Sequence, residues 1–581
     1  MLKKALSKGV DQKTFNTLLH SAWKTSDSKV RLGIALSGGQ DSMALAALCE
    51  GYRKAHPQVS FSAFIVDHDV RPESQAEAQR TRNIVRTKTG IDVEILKLKW
   101  TSHVHPLKLL DFESIARRLR YRALAQACSD HGITTLLLGH HADDQAETVL
   151  SRITANYVGS GLAGMQRNAP IPECDEIYGC HSGKPVKVPV TPVSGFSLEE
   201  QTVMIENGGI RIFRPLLDFT KADLKETCKV HGLRWAEDKT NADRTLGPRN
   251  AIRYLLGRNR LPVALSTRSL LDLATERRKA VDEATEAVER IFDDCNINLN
   301  PINGSVDVKY PHDIKEHLFS GSSATDKLAD ARSRAALLLR RIILLVSPLT
   351  TIRLADCRMP AEITFPFLFS TGPGYRIQHG SVATVAKAHY RITCPSFDST
   401  GKSSPAAIQC QITRTPPTAQ DKAAKSDTLI RDLPQRSDSF NWEDTPMKLF
   451  DGRYWIRLRY RLFNLTPGHR ICIRFLEDAD IDQIRTDKTN PTNWVRLKAV
   501  LKEKAPGKVR YMLPAIVQTH FVNGEGGRQE LKSRLLALPT LDWSSAGWVK
   551  YDKKNFQEAW MWTVRYKKVE FEAVGRHGFV G

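Results

Sequence analysis

The chain has 581 residues, 41% of them hydrophobic and 26% charged, the balance of a globular protein long enough for about three domains. Lys and Arg total 85 against 64 Asp and Glu, and the resulting net charge of +21 favours a polyanionic partner, although a solvated basic surface carries the same excess. The longest apolar run, Leu337–Val346, is broken by Arg340 and Arg341 and is too short to span a bilayer, so no membrane association is expected. Ten scattered cysteines without a C-x-x-C pair argue against a disulfide framework and against a cysteine-only zinc or iron–sulfur site.

Residues 1–28 read as an N-terminal extension. Met1–Lys13 is basic with Asp11 as its only acid, which permits a targeting segment, but Arg is absent and the amphipathic pattern is poor. From Val30 to Ile153 strands and helices alternate. Val30, Leu32, Ile34 and Leu36 alternate into a glycine loop, and Met43–Cys49 reads as a helix. Phe61–Val66 is a second strand before a helix at Glu73–Lys88; Val93–Leu98 is a third, before a helix at Phe112–Asp130; Thr134–Leu138 is a fourth, ending in Gly139. The rhythm predicts an α/β domain over residues 29–255, a doubly wound parallel sheet covered on both faces, with ligands at the carboxyl ends of its strands. The polar clusters Ser37–Ser42, Asp67–His68 and His140–Glu147 all fall at such ends.

Residues 166–209, rich in Pro, Gly and Ser, read as a loop insertion, after which Ile212–Leu216 and a helix at Lys221–His231 resume the pattern. Residues 256–393 are expected to be mainly helical, with Val281, Ala284, Val288 and Ile291 at helical spacing in Thr275–Phe292 and a second helix over Thr325–Val346. Residues 394–446, rich in Ser, Thr, Pro, Lys and Gln, read as a flexible linker. Residues 447–581 are basic and aromatic, with strand-like runs such as Tyr454–Tyr460, and are expected to form a smaller α+β domain.

The strongest chemical signal is Leu36-Ser37-Gly38-Gly39-Gln40-Asp41-Ser42, between a strand and a helix. The glycines allow close approach of an anion and positive φ, and the helix N-terminus behind them offers free N–H groups to a phosphate. Asp41 would repel that phosphate unless a cation intervened, which makes it a candidate Mg²⁺ ligand. The alternative is an ordinary strand–helix turn capped by Asp41 or Ser42. On a helix, His140, Asp144 and Glu147 share one face, where two carboxylates could hold Mg²⁺ or a substrate ammonium; a solvated acidic first turn is the alternative. Arg117, Arg120 and Arg214 could each bind phosphates, a base or an RNA backbone, or only make surface ion pairs. Trp494, Arg496, Lys498, Lys502, Lys504, Lys508 and Arg510 interleave charge with an aromatic, as RNA backbone binding or a basic solvated face would.

The Ser37–Ser42 string resembles the PP-loop, S-G-G-x-D-S, of the ATP pyrophosphatase superfamily, whose members adenylylate a substrate and release pyrophosphate. Val66–Ser74 is similar to the V-D-H-G-L-R-P-E-S segment of the tRNA(Ile)-lysidine synthetase family, Ala116–Tyr121 to its A-R-x-x-R-Y helix, and Leu138–Thr148 to its L-G-H-H-x-D-D-Q-x-E-T signature. Phe213–Leu217 and Trp235–Arg253 resemble two further segments, so the likeness is ordered across about Lys29–Arg253; beyond it only Lys498–Pro514 is similar. Asp69 stands where the family usually has Gly, and Thr245–Pro248 lacks the usual aromatic before Arg249-Asn250.

The resemblance implies an enzyme that uses ATP and Mg²⁺ to adenylylate C2 of the wobble cytidine in isoleucine tRNA with a CAU anticodon. The ε-amine of free L-lysine then displaces AMP to give lysidine. It implies ATP contacts at Ser37, Gly38, Gly39, Gln40, Asp41, Ser42, Asp67, His68, Arg117, Arg120 and His140, with Mg²⁺ on Asp41. Asp41, Asp144, Glu147 and Arg214 would be catalytic, and Asp143, Asp144, Glu147, Arg249 and Arg253 would meet lysine or tRNA. Another PP-loop tRNA-modifying enzyme or amide ligase is the alternative; thiolases of the superfamily commonly use C-x-x-C pairs, which this chain lacks. A non-catalytic tRNA-binding protein is a further alternative, against which the intact loop argues. The long insertions and the basic, acid-poor start point to a mitochondrial member, with the cytoplasm as the other expected location. A homodimer is compatible with the sequence.

Overall fold

A computed structural model describes residues 9–21, 29–100, 106, 109, 111–157, 159–180, 186–189, 202–206, 209–236, 248–258, 260–320, 327–370, 374–395, 397–398, 407–424, 427–430, 443–461, 470–523, 529–545 and 559–567. Two compact units divide the chain: Met1–Gly183 with Gly208–Glu283, and Lys184–Asn207 with Ala284–Gly581.

The first unit opens with α1 (Gln12–His20) and then alternates β1 (Val30–Leu36), α2 (Gln40–Ala55), β2 (Val59–Asp67), α3 (Ser74–Thr89), β3 (Asp92–Lys97), α4 (Phe112–Asp130), β4 (Thr135–Leu137) and α5 (Ala142–Thr154). After β5 (Asn168–Pro170), the strands β6 (Val186–Pro189) and β7 (Thr202–Ile205) belong to the second unit. The chain returns with β8 (Arg211–Phe213), α6 (Lys221–Val230), α7 (Pro248–Gly257) and the long α8 (Thr267–Asp294), which crosses the boundary between the units. The sheet order is β3-β2-β1-β4-β8-β5, parallel throughout except for the antiparallel edge strand β5, as the alternating pattern predicts.

A parallel sheet is buried on both faces, and its strands read accordingly as apolar runs. One face packs Leu32, Ile34 and Leu36 against Leu45 and Leu48 of α2, with Leu224 of α6 alongside. The other packs Phe64, Leu136 and Ile212 against Tyr121, Leu124 and Cys128 of α4. From β1 the sheet grows through β2 and β3 in one direction and through β4 and β8 in the other. The carboxyl ends of β1 and β4 therefore flank the point where strand order reverses, the usual place for a ligand crevice in such sheets.

The second unit adds β9 (Asn296–Asn300), β10 (Ser305–Lys309), α9 (Ile314–Phe319), α10 (Lys327–Leu344), α11 (Arg358–Thr364), β11 (Arg376–Ile377), β12 (Val382–Val385), β13 (Ala388–Ile392), β14 (Phe397–Asp398) and β15 (Gln409–Arg414). It continues with α12 (Ala419–Ala424), β16 (Asp427–Ile430), β17 (Glu443–Asp444), β18 (Lys448–Phe450), β19 (Tyr454–Arg461), β20 (Arg470–Phe475), α13 (Asp478–Thr486) and α14 (Pro491–Lys504). The last strands are β21 (Pro514–Asn523), β22 (Gln529–Leu538), β23 (Trp543–Ser544) and β24 (Ala559–Tyr566). They form sheets of order β12-β13-β15-β10-β9, β11-β14 and β16-β20-β21-β22-β23, and a further sheet β17-β19-β24-β7-β6 with β18 on β19.

The middle region is mainly helical, as expected, through α8, α9, α10 and α11, and it also carries β9 and β10, which alternate Ile297, Leu299, Val306 and Val308 into the core in five-residue runs diluted by Asn and Asp. The stretch expected as a linker supplies β15, hydrogen-bonded between β13 and β10, with Cys410, Ile412 and Arg414 facing inward. The presumed loop insertion gives an edge strand to the first sheet and two strands to the second unit. Residues from 447 onward combine antiparallel strands with α13 and α14, the α+β character expected, and Phe450, Tyr454, Ile456 and Tyr566 share one core with Val288, Ile297 and Leu338.

That core contains a buried ionic knot. Asp451 accepts hydrogen bonds from Arg414 at 3.2 Å and from Arg453 Nε at 2.8 Å, and all three side chains are at most 1% exposed. Asp421 pairs with Lys387 and, at 3.4 Å, with Arg414. Among the described residues no helix is long and apolar enough to cross a membrane.

Candidate active site

The site begins where β1 ends. Gly38 has φ +77°, and a Cβ there would lie 2.8 Å from Thr81 Oγ1, so the turn requires glycine. Gly39 is the N-cap of α2 and Asp41 lies in its first turn. The serines stabilise the loop: Ser42 Oγ accepts from Ser37 N–H at 3.1 Å and donates to the Gly39 carbonyl at 3.0 Å, with Ser37 Oγ 3.2 Å away. From the neighbouring strand, Gly139 closes on this loop. A Cβ there would lie 3.1 Å from the Asp41 carbonyl group and 3.2 Å from Ser42 N, so only glycine lets the β4 exit approach so closely.

Next to Gly139 the two histidines diverge. His140 does not stand on the helix face with Asp144 and Glu147, because α5 starts at Ala142 and His141 is its N-cap. His140 Nδ1 instead accepts from Arg214 Nε at 3.2 Å. Burial pushes the His140 pKa down to about 4; Asp144 opposes this shift, while Arg214, Arg249 and Arg120 reinforce it. His141, which the sequence did not single out, is 3% exposed and within 3.5–3.6 Å of Asp41, Asp143 and Asp144. Burial would lower its pKa, but the close carboxylates of Asp143, Asp41 and Asp144 overcome it and raise it to about 10. His141 is therefore an imidazolium that binds the glycine loop to the acidic start of α5. Its signal in the sequence was the pair of acids at 143 and 144, but Asp41 is remote along the chain.

A cavity of about 920 Å³ opens at this point, lined by Ser37, Asp41, Ser42, Asp67, His68, Arg117, Arg120, His140, Asp144 and Arg249. Arg117 and Arg120 lie 4.8 and 5.3 Å from the ring of buried Tyr121, which orients both guanidinia. Trp100 and Phe112, also missed, stack at 5.7 Å, and Trp100 Nε1 donates to the His68 carbonyl at 2.8 Å. Burial, then the Arg120 charge, pulls the His68 pKa down. Asp69 adopts φ +52°, which explains how it stands in place of glycine: Asp tolerates the left-handed region, and its carboxylate pairs with Lys97 at 3.0 Å.

Other expected site residues do not line the cavity. Gln40 donates to the Lys221 carbonyl at 2.7 Å, and Asp143 accepts from Lys221 N–H at 2.8 Å, so both fasten α6. Arg214 is 8% exposed and donates to the Gln166 carbonyl at 2.6 Å; burial lowers its pKa. Glu147, expected to take lysine or metal, is 4% exposed and already held by Arg253 at 2.7 and 3.0 Å and by Arg249 at 3.5 Å. It clamps α7 to α5, beside the apolar contact of Ala146, Val149 and Leu150 with Ile252. Glu237–Thr240, Asn241 and Thr245–Gly247 lie outside the described residues.

Asp41 fits a Mg²⁺ ion. Its Oδ1 is buried without a hydrogen-bond partner, and Mg²⁺ takes one or two carboxylates with substrate phosphates rather than a cage of protein ligands. Among the described residues no group of three or more His, Cys, Asp or Glu side chains is placed to form such a cage.

The depressed His140 pKa carries a stability prediction. The unfolded imidazole takes a proton near its ordinary value, about 6.5, and the folded one only near 4. The contribution is complete above pH 6.5 and is lost as pH falls through 4, on the order of 3 kcal/mol in all. Urea unfolding across that window should show the decline, and His140→Gln should remove it.

Residues 9–259 match the family model described as PP-loop domain. That stretch, the first part of the chain, is thus similar to a PP-loop domain. A probable tRNA(Ile)-lysidine synthase of Schizosaccharomyces pombe is 28% identical over 88% of this chain and 91% of its own length. The tRNA(Ile)-lysidine synthase of Wolbachia pipientis wMel is 28% identical over 48% of this chain and 54% of its own, and that of Hyphomonas neptunium 34% identical over 36% and 46%. The matches thus span nearly all of the fission yeast relative and about half the length of the two bacterial ones. A solved U34-tRNA thiolase from Methanococcus maripaludis is similar with a TM-score of 0.33 and 14% identity, over 46% of this chain and 79% of that one.

Proposed function

We propose that this PP-loop enzyme converts the wobble cytidine of an isoleucine tRNA to lysidine, using ATP, Mg²⁺ and free L-lysine. The observation that carries the reading is that the glycine loop, Asp41, His140 and Asp144 line one cavity. ATP phosphates would lie against Ser37–Ser42 and the N-terminus of α2. Asp41 would hold Mg²⁺, which supplies charge neutralisation for the departing pyrophosphate. The cytidine C2 oxygen forms a bond to the α-phosphorus while the bond to pyrophosphate breaks. The lysine ε-amine then attacks C2, loses a proton, and AMP leaves with the former C2 oxygen. The step is favourable in design because an amide-like oxygen leaves poorly and AMP leaves well.

Of the three carboxylates expected to meet lysine, only Asp144 lines the cavity; Asp143 accepts from Lys221 N–H and Glu147 is committed to Arg253. Asp144→Asn should therefore raise the KM for lysine by at least about tenfold, the worth of a charge-assisted hydrogen bond. The KM for ATP should move far less. Glu147→Gln should instead lower thermal stability by about 1–3 kcal/mol, because Arg253 loses its partner in a partly buried setting. Steady-state kinetics and calorimetry on the two variants separate these roles.

On the second unit, Arg496, Lys498, Lys502 and Lys508 are exposed along α14 and just beyond it, and would meet the tRNA backbone. Trp494 packs against the Leu497–Leu501 core and is less available for stacking than its spacing implied. Mass analysis of isoleucine tRNA after incubation with ATP and lysine tests reaction and substrate together. Release of AMP without a mass increase on the tRNA would overturn the lysidine reading and leave a different PP-loop ligase. A mitochondrial location belongs to the same proposal; a uniformly cytosolic signal from a C-terminal fusion would count against it.

A further inference from the structure

We infer that Arg214 is a positioning residue that fixes His140 in its Nε2–H tautomer, so that His140 serves the reaction as an uncharged hydrogen-bond donor and not as the base that accepts the amine proton. The role of the donor rests on the adenylylation reading above; the tautomer rests on geometry alone.

A guanidinium has donors and no acceptor, so a contact from Arg214 Nε to His140 Nδ1 at 3.2 Å requires a lone pair on Nδ1. The ring proton must then sit on Nε2. Arg214 cannot easily turn away. Its other arm donates to the Gln166 carbonyl at 2.6 Å, its backbone N–H donates to the Arg167 carbonyl at 2.9 Å, and the side chain is buried. His140 leads out of β4 immediately after Gly139, whose close approach to the glycine loop fixes where the ring begins.

The charges around the ring support the same state. Arg214 after β8, Arg120 on α4 and Arg249 on α7 all disfavour a proton on Nδ1, and Asp144 on α5 is the acid that favours one. Burial adds to the three arginines, and the ring stays neutral through the physiological range. Nε2 has no hydrogen-bond partner among the described residues, and His140 lines the cavity. A neutral N–H in that position can donate to an anionic oxygen of the adenylyl group at any working pH. It cannot remove a proton from lysine, because its only lone pair is spent on Arg214.

The arrangement is the reverse of the usual one, in which a backbone carbonyl or carboxylate accepts from Nδ1–H and leaves Nε2 as the base. Here a cation occupies Nδ1. Arg214 therefore acts on the reaction through His140, although its own side chain does not line the cavity.

The test uses full-length protein carrying ¹⁵N-histidine, with the His140 resonances assigned by their loss in His140→Gln. Two-bond ¹H–¹⁵N spectra are expected to show the Nε2–H pattern without titration between about pH 6 and 9. In Arg214→Met the pattern should become a tautomer mixture that titrates nearer the ordinary value. An Nδ1–H pattern or an imidazolium at neutral pH in the unmodified protein would overturn the inference. A second arm reads chemistry. The amide of His140→Gln reaches the Nε2 position and should keep AMP release within about tenfold, whereas that of His140→Asn reaches only Nδ1 and should lose about 100-fold. Equal losses in the two variants would also overturn it. Spectra are recorded without substrate, so failure of the lysidine reading alone would leave the tautomer result in place.

Discussion

Asp41→Asn should reduce ATP-dependent AMP release by about 10³-fold, the scale on which a lost electrostatic stabiliser of a transition state is felt. The carboxylate stands in the first turn of α2 with Oδ1 buried and unpartnered, while Oδ2 faces the imidazolium of His141 at 3.6 Å. An amide keeps the volume and loses the charge. It binds Mg²⁺ far more weakly and puts an N–H₂ group where a phosphate oxygen must approach. Binding of tRNA should change little, because Asp41 does not face a polyanion surface of its own. The measurement is single-turnover AMP release at saturating ATP, beside a tRNA-binding titration. Activity within tenfold of the unmodified protein would remove Asp41 from the metal role.

Asp451→Ala should cost about 3–5 kcal/mol of stability, the usual penalty for breaking a buried ion pair by deleting one partner. Arg414 and Arg453 would be left facing one another with side chains at most 1% exposed, and Asp421 could compensate only Arg414, already at 3.4 Å and shared with Lys387. The turn cannot relax around the loss. Gly452 has φ +61°, and the Pro348 carbonyl oxygen lies 2.1 Å from where a Cβ would stand, so the backbone is pressed against its neighbour. Urea unfolding followed by tryptophan fluorescence should show the drop. A shift smaller than about 1 kcal/mol would mean that the two arginines find other partners or water.

Legibility in the sequence followed the range of the interaction. The Ser37–Ser42 loop was readable because everything that shapes it is local: an apolar strand, two glycines and a helix start within a dozen residues. The parallel sheet was readable for the same reason, since strands buried on both faces show as short apolar runs. The helix start at Ala142 was misplaced because nothing in His140-His141-Ala142 says which histidine is the cap; the decision comes from Arg214, which draws His140 toward β8. Glu147 looked available because its arginine partners lie 102 and 106 positions further on. In the second unit β15 was hidden by its surroundings. The alternation Cys410, Ile412, Arg414 puts an arginine at a core position, which reads as polar until Asp451 is known to meet it.

All ten cysteines are buried and none is paired with another. For most of them, Cys49, Cys128, Cys174, Cys180, Cys228, Cys295, Cys357 and Cys410, burial pushes the thiol pKa up and keeps the reactive thiolate scarce. The folded protein therefore arrives with its native thiols buried away from bulky reagents. A single cysteine engineered onto an exposed position, such as Lys498 on α14, would be the one site open to a maleimide dye. Distances to a labelled tRNA could then be followed without first stripping the protein of its own thiols, and alkylation of the native ten would itself report unfolding.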